Sequence, residues 1–139
     1  MKENGIKKGD VVIAVTEGGE TSSVIGTIRA AVKEYDAHED SLARENLYFI
    51  FNNPVDVLMP FERSRIVLED DRITKIPLWT GPQAIGGSTR MQASTSEQYV
   101  ISILIEDALT KTLLDAGLNE EELNSLGFDK ELTIKDRLL

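Results

Sequence analysis

Three short apolar runs, each followed by a polar turn, limit the folds that this chain can adopt. They read "DVVIAV" (residues 10–15), "LYFIF" (residues 47–51) and "ITKIPLW" (residues 73–79). Runs of this length, rich in β-branched and aromatic residues and bounded by turn residues, are typical of buried strands. Helical patterns separate them, which indicates parallel strands joined by right-handed crossovers. We therefore expect an α/β fold with a parallel sheet.

The segments between the strands predict the helices. An apolar stripe at helical spacing predicts a helix over about residues 21–35, through Val24, Ile25, Ile28, Ala31 and Val32. "PFERSRIVLED" predicts a short helix, and Pro77 is expected to end the third strand because proline lacks an amide donor. A long helix should follow Met91 and stop at Gly117. Residues 118–139 predict one or two short helices, and we expect Glu120–Glu122 to be solvated.

Composition excludes several classes of function. The chain has 139 residues and a net charge of -9, so we expect about one domain and no nucleic-acid partner. It has no cysteine and one histidine, His38, which we expect to be solvated. We accordingly predict no metal site and no cofactor. No run approaches a membrane span and the start "MKENGIKKGD" lacks an apolar segment, so a cytoplasmic protein without a membrane partner is expected.

Two turns rich in glycine and hydroxyl residues are the candidate ligand site. "EGGETSS" (residues 17–23) and "TGPQAIGGSTR" (residues 80–90) each follow a strand and lead into a helix. Ligands collect at the carboxyl ends of parallel strands, and a helix N-terminus attracts phosphate. The alternative is that each turn is only a helix cap. The candidate ligand-binding residues are Gly18, Gly19, Glu20, Thr21, Ser22, Ser23, Ser88, Thr89 and Arg90.

The first turn also holds the candidate catalytic groups, Glu17 and Glu20. Proton abstraction or elimination would need a carboxylate of raised pKa there. The interpretation we favour for Glu20 is that it lies in the first turn of the helix and interacts with the helix dipole. That helix carries no basic residue before Arg29, so we expect its amides to supply most of the local positive field. Trp79 and Tyr99 are expected to be core or interface residues.

A family resemblance lies in the same turns. "GDVVIAVTEGGETSSVIGTI" together with "TGPQAIGGSTRMQAST" resembles the sugar isomerase (SIS) domain, in the branch that contains N-acetylmuramic acid 6-phosphate etherase and the glucokinase regulatory protein. The resemblance covers about residues 6–114. It implies a flavodoxin-like, three-layer αβα fold, a phosphosugar ligand and usually a dimer. It also places the phosphate loop on residues 18–23 and a sugar-contacting turn on residues 88–90.

The chain departs from the family pattern in three respects, of which one is that the segment of about residues 54–71 looks longer than in the etherases. Gly18 and Gly19 stand where the usual loop reads Ser-Gly, so one hydroxyl ligand is missing. The family's first strands and the etherase's catalytic glutamates would lie before residue 1. We therefore expect residues 1–116 to be the C-terminal half of a SIS-like phosphosugar-binding domain and residues 117–139 to be a short helical extension.

Three functions follow as hypotheses. The first is a binding module that senses or holds a sugar phosphate such as N-acetylmuramic acid 6-phosphate or fructose 6-phosphate. The second is an enzyme, either a lyase that cleaves a sugar lactyl ether or a phosphosugar aldose–ketose isomerase. The third is a dimerisation element built on the helix after Met91. The expected partners are the sugar phosphate and either a second copy or the rest of the SIS domain.

Overall fold

The computed structural model describes residues 5–7, 9–37, 43–88 and 91–128. The chain forms two compact units, Met1–Glu97 and Gln98–Leu139. The helices are α1 (Ser22–Ala37), α2 (Ala43–Asn46), α3 (Val55–Leu58), α4 (Glu62–Leu68), α5 (Gln92–Asp115) and α6 (Glu120–Ser125). Within the described ranges, no helix is long and apolar enough to cross a membrane.

The predicted parallel sheet is confirmed. Its strands are β1 (Val12–Thr16), β2 (Leu47–Phe51) and β3 (Thr74–Pro77), in the order β1-β2-β3. Both pairings are parallel, and Val15, Ile50 and Ile76 lie side by side in register. Pro77 is the last residue of β3, as expected for a residue that has no ladder donor. The fold class is therefore α/β.

Helices lie on both faces of the sheet in the first unit. Side chains alternate between faces along β2, so its odd-numbered residues share one face. They pack with α1 and α4 in one core cluster whose buried members are Ala14, Ile25, Ile28, Ala31, Val32, Tyr35, Leu47, Phe49, Phe51, Leu58, Val67 and Ile73. Asn52 continues the opposite face and contacts Ala93 and Glu97 in the first turns of α5. This arrangement gives the three predicted layers, αβα.

Two details of the sequence prediction differ from the structure. Helix α3 was not predicted, because a four-residue helix after Pro54 is too short to show a periodic pattern. Trp79 and Tyr99 are 69% and 53% exposed, so they are not core residues, and the other alternative, an interface role, stays a prediction. His38 and residues 129–139 lie outside the described residues.

The second unit has well-formed helix ends. Gly117 ends α5 as predicted: its φ is 96°, and the amide of Leu118 donates to the carbonyl of Leu113 at 3.1 Å. This is the Schellman arrangement, which satisfies carbonyls at the end of a helix. Helix α6 begins with a capping box between Asn119 and Glu122, and Glu120–Glu122 are exposed as expected.

Gly19 is the tightest backbone position in the loop after β1. Its φ is +76°, and a Cβ there would lie 2.5 Å from Cδ1 of the buried Leu58. A side chain would therefore strain the backbone and also overlap α3. Gly18, one residue earlier, has no atom within 4 Å of the same imaginary Cβ.

We predict that Gly19→Ala lowers the free energy of unfolding by about 1–3 kcal/mol, through overpacking and an unfavourable φ. The matched control is Gly18→Ala, which should cost nothing and could add up to about 1 kcal/mol. Urea denaturation of the two variants measures the difference. Equal effects of the two substitutions would show that the Gly19 contact with Leu58 does not constrain the loop.

Candidate functional site

The loop of residues 17–20 is fixed to the end of β2. The backbone amide of Asn52 donates to the carbonyl of Glu17 at 3.1 Å, which extends the β1–β2 pairing beyond the strands. The side-chain amide of Asn53 donates to the carbonyl of Gly18 at 2.9 Å. The candidate site therefore lies at the carboxyl edge of the sheet, where parallel α/β folds hold their ligands.

Glu20 lies outside α1, and its side chain contacts the start of α4. It precedes α1, and its Oε1 accepts a hydrogen bond from the backbone amide of Ser64 at 3.1 Å. The hydroxyl of Ser64 in turn donates to the carbonyl of Gly19 at 2.8 Å. The expectation that Glu20 interacts with the dipole of its own helix is wrong, because the chain turns at Gly19 and directs the carboxylate to the first turn of α4.

The three hydroxyl residues that follow this loop, Thr21, Ser22 and Ser23, differ in their surroundings. The hydroxyls of Thr21 and Thr16 are 2.7 Å apart and hydrogen-bonded, so Thr21 shapes the loop from within. The hydroxyl of Ser22 accepts from Nη1 of Arg63 at 2.6 Å, and Ser23 is exposed. The amides of the first turn of α1 have no acceptor inside the helix. Hydroxyls and amides thus meet at one exposed helix start.

Arg63 brings a full positive charge to this helix start. Its side chain is 60% exposed, and its Nε lies 3.6 Å from Oε2 of Glu20. The sequence prediction, which assigned most of the positive field to backbone amides, did not include this arginine, whose charge is paired with Glu20. The sequence gives no local signal for Arg63, because it lies 41 residues from Ser22 and reaches it only through the packing of α4.

A buried polar network lies beside the loop. Asn52 and Glu97 are only 4% and 5% exposed, and Nδ2 of Asn52 donates to Oε1 of Glu97 at 2.7 Å. The hydroxyl of Ser96 donates to Oδ1 of Asn52 at 2.9 Å. Both ends of the Asn52 side chain are therefore held by the first turns of α5. The sequence does not identify Glu97 as a buried residue, because "QASTSEQ" has the composition of a solvated helix start.

Glu17 connects the network to the loop. Its Oε1 accepts a hydrogen bond from the hydroxyl of Ser94 at 3.0 Å. Burial raises the pKa of Glu97 above its ordinary value; the hydrogen bond from Asn52 lowers the pKa, and the nearby charge of Glu17 raises it again. The site therefore contains two carboxyl groups that interact, one half-buried and one buried.

The second turn leads into the same first turn of α5. Gly87 has a φ of 77°, and the amide of Ser88 donates to the carbonyl of Ile85 at 3.0 Å. Oε1 of Gln92 accepts from the amide of Ala84 at 2.5 Å, so the turn is attached to the start of α5. Thr89 and Arg90 lie outside the described residues. Among the residues that are described, no group of three or more His, Cys, Asp or Glu could hold a metal ion.

Two curated proteins are similar to this chain over most of its length. The N-acetylmuramic acid 6-phosphate etherase of Clostridium acetobutylicum is 30% identical over 131 residues, which cover 88% of this chain and 37% of that protein. The enzyme of the same name from Crocosphaera subtropica is 28% identical over 136 residues, which cover 93% of this chain and 37% of that protein. The chain thus corresponds to less than two fifths of the length of these relatives.

Neither of the other two comparisons produced a match: no family model matches the chain, and no solved structure does. The similarity to a segment of two etherases is therefore the finding from known proteins that bears on function.

We predict that Glu97→Gln stabilises the protein at neutral pH. The raised pKa means that the folded state holds the proton of Glu97 more tightly than the unfolded state does. This contribution to stability is complete below the unfolded pKa and is lost as pH rises through the folded pKa. The glutamine oxygen keeps the hydrogen bond from Asn52 and carries no charge. At neutral pH the variant should gain about 1.4 kcal/mol for each unit by which the pKa is raised.

Thermal unfolding of both proteins from mildly acidic to neutral pH measures this effect. The two curves should converge at acidic pH and separate as pH rises. The control is Glu62→Gln, an exposed carboxylate in the first turn of α4, which should change stability by less than about 0.5 kcal/mol. A Glu97→Gln protein that is less stable than the wild type at neutral pH would contradict the prediction.

Proposed function

We propose that this chain carries the phosphosugar-binding edge of a SIS-type domain. The ligand would be a sugar phosphate such as N-acetylmuramic acid 6-phosphate or fructose 6-phosphate. One observation carries the proposal: the guanidinium of Arg63 contacts the hydroxyl of Ser22 at the exposed start of α1. The first amides of a helix have no acceptor inside it, so they would add donors there. The names of the two relatives, which include a sugar 6-phosphate, support it.

The phosphate would occupy the start of α1. There it would accept hydrogen bonds from the amides of the first turn and from the hydroxyls of Ser22 and Ser23. Arg63 would pair with the phosphate through N–H groups beyond the one that Ser22 accepts, since a guanidinium has five such donors. Gly19 and Thr21 would act indirectly, by giving the loop its shape.

The second turn would contact the sugar. Ser88, Thr89 and Arg90 are proposed for this role, and a change there should affect the choice of sugar more than the affinity for phosphate. Glu17 and Glu20 stay proposed as the candidate catalytic carboxylates. In this proposal residues 1–116 form the SIS-like unit and residues 117–139 a helical extension. A second copy, or the rest of the SIS domain, would complete the unit.

Cleavage of a sugar ether by the full-length protein is the second candidate function. The observation that favours it is that both relatives are named N-acetylmuramic acid 6-phosphate etherases. The test is release of lactate from N-acetylmuramic acid 6-phosphate by the full-length protein. Release of lactate would establish the lyase, and tight binding without release would favour a sensor.

We predict that Arg63→Ala weakens sugar-phosphate binding at least about tenfold, because a hydrogen bond to a charged group contributes about 1.5–3 kcal/mol. Isothermal titration with N-acetylmuramic acid 6-phosphate, fructose 6-phosphate and glucosamine 6-phosphate measures the affinity. Arg65→Ala is the matched control, because Arg65 is an exposed arginine of the same helix.

The control should leave binding within about twofold of the wild type. The proposal would be contradicted if the full-length protein bound none of the three sugar phosphates. It would also be contradicted if Arg63→Ala and Arg65→Ala weakened binding equally, since a general loss of positive charge would then explain the effect.

A further inference from the structure

Glu97 is a buried carboxyl group that the proposed phosphate site does not use. It lies in the second turn of α5, is 5% exposed, and accepts the side-chain amide of Asn52 at 2.7 Å. Burying an ionised carboxylate is costly unless a cation or several donors compensate it. An acid therefore stands at a position where a glutamine would avoid this cost.

Asn52 connects Glu97 to the ligand loop. Its side chain contacts Glu97 and Ser96, while its backbone amide donates to the carbonyl of Glu17. The next residue, Asn53, donates to the carbonyl of Gly18. Any displacement of the Asn52 side chain would therefore be transmitted to the first two residues of the loop. Asn52 thus joins Glu97 directly to the loop.

The charges around Glu97 favour its protonated form. Glu17, on the loop after β1, is the charged group that acts on it, and it has the same sign. Asn52 faces Glu97 from the end of β2, and Ser94 and Ser96 belong to its own helix. Among the described residues, no cation is a cause of the shift in its pKa. Ionised, Glu97 would add a buried negative charge beside the half-buried carboxylate of Glu17, which Ser94 binds.

We propose that Glu97 is a positioning residue of the ligand edge: it stands neutral beside Asn52 and the loop at Glu17 and Gly18, and its ionisation would loosen that edge by placing a buried negative charge beside Glu17. The effect on ligand affinity rests on the proposed phosphosugar function. The effect on the loop does not, because it is transmitted by hydrogen bonds between residues of this chain. Binding of a phosphosugar would then be tighter at acidic pH.

Nuclear magnetic resonance of the ligand-free protein tests the positioning directly. The probes are the side-chain amide of Asn52 and the backbone amides of Glu17 and Gly18, followed from about pH 5 to about pH 8. In the wild type these signals should shift together in one transition, and that transition should disappear in Glu97→Gln. Glu62→Gln should keep it. Signals that titrate identically in the wild type and Glu97→Gln would overturn the proposal.

Carboxyl carbon shifts of the wild type supply a measurement that needs no variant. The Glu97 signal should titrate at the same pH as the Asn52 and Gly18 signals. A Glu97 that titrates at a clearly different pH from the loop would also overturn the proposal.

The ligand arm compares dissociation constants of N-acetylmuramic acid 6-phosphate at both ends of this pH range. The phosphate itself titrates near pH 6, and this contributes equally to both proteins. The ratio of Kd at the higher pH to Kd at the lower pH should be at least about fivefold larger for the wild type than for Glu97→Gln. Equal rises would exclude an effect on binding. If neither protein binds, the phosphosugar function fails, while the resonance data still decide the role of Glu97.

Discussion

The side chain of Asn52 is the junction on which the carboxyl edge of this sheet depends. It is buried at the end of β2, it holds Glu97 and Ser96 of α5, and its backbone amide pairs with the loop that follows β1. A buried amide that left these partners would cost about 1–3 kcal/mol for each unsatisfied group. The loop of residues 17–20 is thus held in place by polar contacts from two neighbours, and the fold presents it ready-made.

The far side of the loop is held by α3 and α4. Gly19 packs against Leu58, and Ser64 donates hydrogen bonds to the carboxylate of Glu20 and to the carbonyl of Gly19. Most polar groups of the loop are therefore engaged in structure, which leaves the exposed start of α1 and Arg63 for a ligand. This division of roles explains why the loop contains both glycine and hydroxyl residues. The glycine is required by a close contact, and the hydroxyls of Thr21 and Ser22 have different partners.

The fold was predictable because its signals are local. The runs at Val12–Thr16 and Leu47–Phe51 are dense in β-branched and aromatic residues, and the stripe of α1 has a clear helical period. The site was only partly predictable. The loop of residues 17–23 could be found from its glycines and hydroxyls, but Arg63 and Glu97 acquire their roles from contacts 41 and 45 residues away in sequence. A polar residue in a helix shows its partner only when the helices and strands have been assembled.

The central claim is that the exposed start of α1, with Arg63 beside it, holds the phosphate of a sugar phosphate. The most direct measurement is a crystal structure of the full-length protein with N-acetylmuramic acid 6-phosphate bound. We expect a phosphate within hydrogen-bond distance of the amides or hydroxyls of residues 19–23 and of the Arg63 guanidinium. A phosphate bound elsewhere, with Arg63 still bonded only to Ser22 and Glu20, would contradict it.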